Sequence, residues 1–219
     1  MFAKEFAINQ HDLVNQSYDD RSYALHLELV QFNLLNFIEI LKKSEFKTEI
    51  EKMQTVAWLH DVLEDTNTSY NDLKKLFDGG VAEEVFLLTE EKGRNRAERH
   101  NHKYMTGVAS SEVASLVKIS DIAANASYSL FTGSSMYKKY KNEFPSVRYY
   151  LQHSNTHLYP IFQKIQDFFD SNSLDSSVEK EIVRLRALYP IRHILILNLD
   201  SDSSKEKCLL EIQKKYKLI

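Results

Sequence analysis

The decapeptide Ala57-Trp58-Leu59-His60-Asp61-Val62-Leu63-Glu64-Asp65-Thr66 sets four ionisable groups inside an otherwise apolar helical pattern. A helix stacks residues four apart on one face, so the spacing predicts His60 above Glu64 and Asp61 above Asp65, both pairs converging near one helix end. Burying an uncompensated carboxylate costs roughly several kcal/mol, and a divalent cation is a compensation that also accounts for the adjacent imidazole. The plainer alternative is a solvated helix end carrying ordinary acids.

Farther along, Lys118, Asp121 and Asn125 stand at i, i+3 and i+7 and form one polar stripe across an apolar helical stretch. Polar groups aligned on an apolar helix need partners. A metal with a bound phosphate satisfies all three, whereas a structural Lys–Asp pair satisfies two. His26 alone reads as a hydrogen-bonded core residue and becomes a candidate ligand only in company with these two groups. Two neutral imidazoles and two carboxylates form a mixed nitrogen and oxygen set suited to Mn²⁺, Fe²⁺, Ni²⁺, Co²⁺ or Zn²⁺. Four protein ligands leave two positions of a six-coordinate ion open, and such a sphere is catalytic in character because a bound water can ionise near a pKa of about 7. Glu64, just outside the set, is placed to shuttle protons.

The elements that must hold these residues are mostly helical, since only five Gly and three Pro punctuate long runs of apolar residues at three- and four-residue spacing. Residues 23–42 carry Leu27, Val30, Leu34, Phe37, Ile38 and Leu41 on one stripe, with His26 near the start. One helix is predicted over 48–65, stopped by Thr66-Asn67-Thr68, with His60 and Asp61 in its last turns. A third starts at Ser69 or Asn71, Asp78-Gly79-Gly80 breaks it, and another follows over 81–88. Residues 90–101 read as a polar, basic stretch. Residues 111–130, closed by Thr132-Gly133-Ser134-Ser135, read as a central helix, followed by helical stretches over 136–150 and 151–169. After a Ser-, Asp- and Asn-rich linker, residues 192–199 contain the β-like run Ile194-Leu195-Ile196-Leu197. The expected fold is all-α: a helical domain over 1–170 and a small appendage over 171–219 that this run could supply with one strand.

A formal charge of −3, from 28 basic and 31 acidic residues, gives no global attraction to duplex nucleic acid or an anionic membrane. Neither a leader nor a long apolar span is evident, and the single Cys208 forms no internal disulfide, so a cytoplasmic protein is expected. A homo-oligomer is compatible with the sequence. Lys92, Arg94, Arg96, Arg99, His100, His102 and Lys103 could bring cations to a polyphosphate, Arg96 and Lys103 foremost, or form a solvated loop. Tyr137, Tyr140, Tyr149 and Tyr150 fit a core or interface better than a base-stacking platform. His153 and His157, four apart with no nearby acid, read as a surface pair.

Taken together, these residues resemble the HD-domain phosphohydrolase superfamily, and more closely its Rel/Spo-type alarmone hydrolases and small alarmone hydrolases, over about residues 20–130. Tyr23 with His26, then residues 59–66, resemble the family's first His, its His-Asp pair and its Glu-Asp-Thr sequel. Residues 73–89 look like its next two helices. Lys118, Asp121 and Asn125 resemble its Lys-x-x-Asp-x-x-x-Asn signature. The resemblance implies an HD-domain helical bundle in which His26, His60, Asp61 and Asp121 bind one metal ion, usually Mn²⁺. It implies that Glu64 and Asp65 position and activate water and that Asn125 and Lys118 hold the ribose or phosphates of a phosphorylated nucleotide. The implied reaction removes the 3′-pyrophosphate of guanosine tetra- or pentaphosphate. Asp20-Arg21-Ser22-Tyr23-Ala24-Leu25-His26-Leu27 departs from the family's Gly-x-Pro-Tyr-x-x-His-Pro, and Ile122 stands where an Arg often follows the last ligand. No basic motif that would clamp a purine precedes Arg21. These departures bear on base recognition and leave the metal set whole. The alternatives are an HD phosphohydrolase acting on another nucleotide, a cyclic nucleotide or a pyrophosphorylated RNA end, and a non-catalytic nucleotide-binding module.

Overall fold

The computed structural model describes residues 2–42 and 49–172, and 79% of these are helical, which makes the fold all-α. The β-like run over 194–197, and all of the expected appendage beyond residue 172, lie outside the described residues. The chain opens with α1 (Phe2–Leu13), which the periodicity did not single out, and a two-stranded hairpin, β1 (Ser17–Tyr18) and β2 (Arg21–Ser22). The next helices are α2 (Ala24–Lys42), α3 (Ile50–Leu59), α4 (Val62–Asp65), α5 (Tyr70–Leu76) and α6 (Gly79–Leu88). The basic stretch carries the short α7 (Arg96–Arg99), and α8 (His102–Ala109) follows it. Then come α9 (Glu112–Thr132), α10 (Met136–Ser154), a 3₁₀ turn (Thr156–Leu158) and α11 (Tyr159–Ser171).

The axis of the fold is α9, against which α2, α3, α6, α8 and α10 all pack. Its burial is nearly complete from Val113 to Leu130. Small residues permit this: Ser120 and Ser127 return their hydroxyls to the carbonyls of Leu116 and Ala123, at 2.8 Å each, so neither hydroxyl is stranded. Ser111 caps the start by accepting the Ala114 amide, and Gly133, at φ 72°, ends the helix in the left-handed conformation that a side chain disfavours. Asn155, at the joint after α10, donates to the Ala109 carbonyl and the Ser115 hydroxyl at 3.1 Å each, tying α10 to both α8 and α9.

The second inner helix, α2, contains an 18-residue stretch, Ala24–Leu41, long and apolar enough to cross a membrane by length and composition. This corrects the expectation that no such span exists. The stretch is 78% buried inside the fold, so its apolar surface serves the core rather than a bilayer. The single helix expected over 48–65 is also corrected. It breaks at His60-Asp61, where Asp61 (φ −101°, ψ −2°) leaves helical geometry and its carbonyl accepts the amides of Glu64 and Asp65, at 3.1 and 2.9 Å, to start α4. Downstream, Ser69 and Asp72 form a reciprocal capping box on α5, and Asp78 caps α6 by accepting the Val81 amide at 2.8 Å.

Candidate metal centre

Each side chain of the centre comes from a point where the fold holds it firmly. His26 lies within the first turn of α2, His60 caps the end of α3, Asp61 opens α4, and Asp121 sits midway along α9. His26 and His60 are 2% and 3% exposed. Their Nε2 atoms stand 3.2 Å apart. The Asp61 carboxylate Oδ2 lies 2.9 Å from His60 Nε2 and 3.3 Å from His26 Nε2, and Asp121 Oδ1 lies 3.4 Å from His26 Nε2. Ligand atoms of His26, His60 and Asp121 all fall within 4.8 Å of one another.

The donor chemistry fits a divalent cation. His60 Nδ1 faces the Ala57 carbonyl at 2.9 Å, and an Nδ1–H donated there leaves Nε2 with its lone pair toward the centre. Two imidazole Nε2 atoms this close, flanked by carboxylate oxygens, need a positive charge among them, either a proton or a metal ion. Burial pulls the His60 imidazole down, but the Asp61 charge and hydrogen bond outweigh it and raise its pKa to about 9. Burial likewise pushes Asp61 up, and the two imidazoles outweigh it, holding the carboxyl well below the usual range. The site is built to stabilise cationic charge beside Asp61.

Supporting contacts surround the four residues. The Tyr23 hydroxyl donates to Asp61 Oδ2 at 2.5 Å, and His11, fully buried, stacks on the Tyr23 ring at 4.2 Å. Burial lowers the His11 pKa to about 4, so the ring is neutral near pH 7. Asn125 Nδ2 donates to Asp121 Oδ1 at 2.5 Å and Lys118 Nζ donates to Asp121 Oδ2 at 3.2 Å. Burial opposes the Lys118 charge, yet Tyr104, Asp121, Glu90 and Glu64 hold its pKa well above the usual lysine value.

Glu64 and Asp65, predicted to stand over His60 and Asp61, are carried on α4, where the Asp65 amide donates to the Asp61 carbonyl at 2.9 Å. Glu64 accepts the Glu90 amide, and burial together with the Asp61 charge raises its pKa to about 7. Asp65 accepts from Gln16 Nε2 at 3.1 Å, and burial and the Asp61 charge raise it as well. Arg96 donates to Glu143 at 2.9 Å, spans α7 to α10, and lies over the Tyr140 ring. A cavity of about 250 Å³ opens beside it, lined also by His100, Met105 and Val147. Lys103 is placed otherwise: its side chain is 82% exposed and pairs with Glu91. Tyr137 is buried in the core, His157 pairs with Glu112 at 2.8 Å, and His153 faces the Tyr149 carbonyl at 2.6 Å.

Several of these groups escaped the sequence reading. Tyr18, Gln16 and His11 reach the centre because the N-terminal segment packs against α3 and α4 and the hairpin turns it back toward α2, and no local spacing announces that. Glu90 gathers Arg99 at 2.7 Å and His100, and an acid directly ahead of a basic run was the one available signal.

No protein-family model matches the chain. Among curated proteins it is similar to guanosine-3′,5′-bis(diphosphate) 3′-pyrophosphohydrolase MESH1 of Danio rerio, 36% identical over 74 residues, covering 34% of this chain and 41% of that protein. It is also similar to the protein of the same name from Drosophila melanogaster, 34% identical over 89 residues, covering 41% of this chain and 49% of that protein. The matched segments therefore span less than half the length of the curated relatives. These relatives agree with the alarmone-hydrolase resemblance carried by the motifs.

Proposed function

We propose that this chain is an HD-domain, metal-dependent phosphohydrolase that removes the 3′-pyrophosphate from a guanosine tetra- or pentaphosphate. The observation that carries the reading is the convergence of His26, His60 and Asp121 from three helices, with Asp61 against both imidazoles. These four residues would hold the ion, Mn²⁺ by the family resemblance. A bound divalent cation supplies charge withdrawal from phosphorus and a more acidic water.

The remaining work falls to the chain's own groups. Glu64, with a pKa near 7, can take a proton from the attacking water without being locked in either charge state. Asp65, held by Gln16, lies beside it to orient that water. Water adds to the phosphorus attached to the 3′ oxygen, the bond between them breaks, and the 3′ oxygen takes up a proton as pyrophosphate departs. Lys118 supplies a fixed ammonium beside Asp121, and Arg96 borders open space where a polyphosphate could meet its guanidinium. A cytoplasmic setting is consistent with the single cysteine, since such a chain needs no oxidising compartment.

The test is incubation of the Mn²⁺-reconstituted full chain with guanosine tetraphosphate and a nucleotide panel, with products identified by mass. Release of pyrophosphate is expected, and Asp61→Ala should lose it. Orthophosphate release from another nucleotide would reassign the substrate. Nucleotide binding with no turnover would make the protein a non-catalytic module, and full activity in Asp61→Ala would remove the mechanism.

A further inference from the structure

We infer that Tyr18, carried on the β1–β2 hairpin, is a positioning residue for the metal centre, acting through Asn125 on the Asp121 carboxylate. The inference rests on the metal centre proposed above and adds a residue that the motifs did not contain. It also gives Asn125 a different task from the substrate contact implied by the family resemblance.

The direction of the hydrogen bonds follows from the carboxylate. Asp121, when ionised, only accepts, so the end of the Asn125 amide that meets its Oδ1 at 2.5 Å must be Nδ2. A flipped amide would set its carbonyl against a carboxylate. With Nδ2 committed inward, Oδ1 faces the Tyr18 hydroxyl at 2.9 Å, and the phenol must be the donor. The carbonyl end of Asn125 is thus engaged by the protein. Lys118 Nζ holds the other carboxylate oxygen, Oδ2, at 3.2 Å. Asp121 is clamped at both oxygens, and the side chain is aimed at His26, 3.4 Å from Nε2.

Tyr18 is itself immobilised. Its ring packs 5.0 Å from His26 and 4.5 Å from Tyr128, measured between centroids. The strand register pairs Tyr18 with Arg21 and Ser17 with Ser22, and the turn between them places Asp19 at φ 54°. The hairpin therefore delivers a rigid phenol to the outer face of Asn125. Partners of this kind orient ligands and, when removed, typically weaken metal binding by about 10- to 100-fold.

The experiment is Mn²⁺ affinity of the full chain, by calorimetry or by the electron spin resonance of free Mn²⁺, for wild type, Tyr18→Phe, Asn125→Ala and the double variant. Tyr18→Phe keeps the ring contacts and deletes only the donor, so a loss of about tenfold in affinity is expected, with Lys118 still clamping Oδ2. Asn125→Ala should lose at least as much, and the double variant should lose no more than Asn125→Ala, because the phenol then has nothing to act on. Unchanged Mn²⁺ affinity in Tyr18→Phe would overturn the inference, as would losses that add in the double variant or an effect confined to the nucleotide KM. Failure of wild type to bind Mn²⁺ would overturn the metal centre itself, an outcome distinct from a wild type that binds and a Tyr18→Phe variant that binds equally well.

Discussion

Replacing Lys118 by Met tests whether the polar stripe on α9 is held together by that one ammonium. The side chain is 9% exposed, donates to Asp121 and lies near Glu90 and Glu64, and these carboxylates favour its charged form against the cost of burial. Met preserves most of the volume and removes the charge. Taking one partner from a buried pair costs about 3–5 kcal/mol, because the other charge is left uncompensated. Asp121 retains the Asn125 amide and 12% side-chain exposure, so the lower end of that range, about 3 kcal/mol, is expected for the metal-free chain. In a domain of this size 1 kcal/mol moves the melting temperature by about 2–4 °C, which predicts a fall of roughly 6–12 °C. Mn²⁺ would restore positive charge beside the same carboxylate, so the stabilisation it brings should be larger in Lys118→Met than in wild type. Thermal melts followed by circular dichroism, in chelator and in Mn²⁺, read both quantities. A metal-free variant melting within about 2 °C of wild type would show that the ammonium does not compensate these carboxylates.

Glu64→Gln keeps the acceptor for the Glu90 amide and leaves the four candidate ligands intact. Mn²⁺ affinity should hold while kcat falls by about 10²- to 10⁴-fold, and turnover close to wild type would remove Glu64 as the proton-transfer group. Glu90 offers a pH test away from the metal ligands: burial pushes it up, but hydrogen bonds from His100 and Arg99 and the Lys118 charge prevail and set its pKa at about 2 against an ordinary 4.5. A carboxyl depressed on folding contributes stability above its unfolded pKa and loses it as the pH falls toward its folded value. Metal-free wild type should therefore lose more than Glu90→Gln between pH 6 and pH 3, by about 2 kcal/mol before solvent screening and about 1 kcal/mol after it. Urea denaturation at the two pH values measures the difference, and equal slopes for the two proteins would contradict the assignment.

Much of the local architecture was legible without coordinates because it depends on neighbours three and four residues apart. Apolar spacing located α2 and α9, capping and turn residues narrowed the start of α5 to Ser69 or Asn71 and marked the stop around Gly133, and the chemistry-bearing side chains stood out as polar intrusions on those apolar faces. Other features depend on partners remote in sequence. The break between α3 and α4 turns Glu64 toward an amide of residue 90 and Asp65 toward Gln16, and it cannot be read from a decapeptide that suits an unbroken helix equally well. Arg96 meets Glu143 across 47 residues while Lys103, in the same basic run, remains exposed, because only the packing of α7 and α10 separates one from the other. By itself the sequence determined which residue types were available and which helices carried them, since helical period and capping are local. Tertiary structure alone decided that imidazoles from α2 and the end of α3 meet a carboxylate from α9, and that a hairpin tyrosine reaches its neighbour, since helix crossing and hairpin placement depend on contacts between distant parts of the chain.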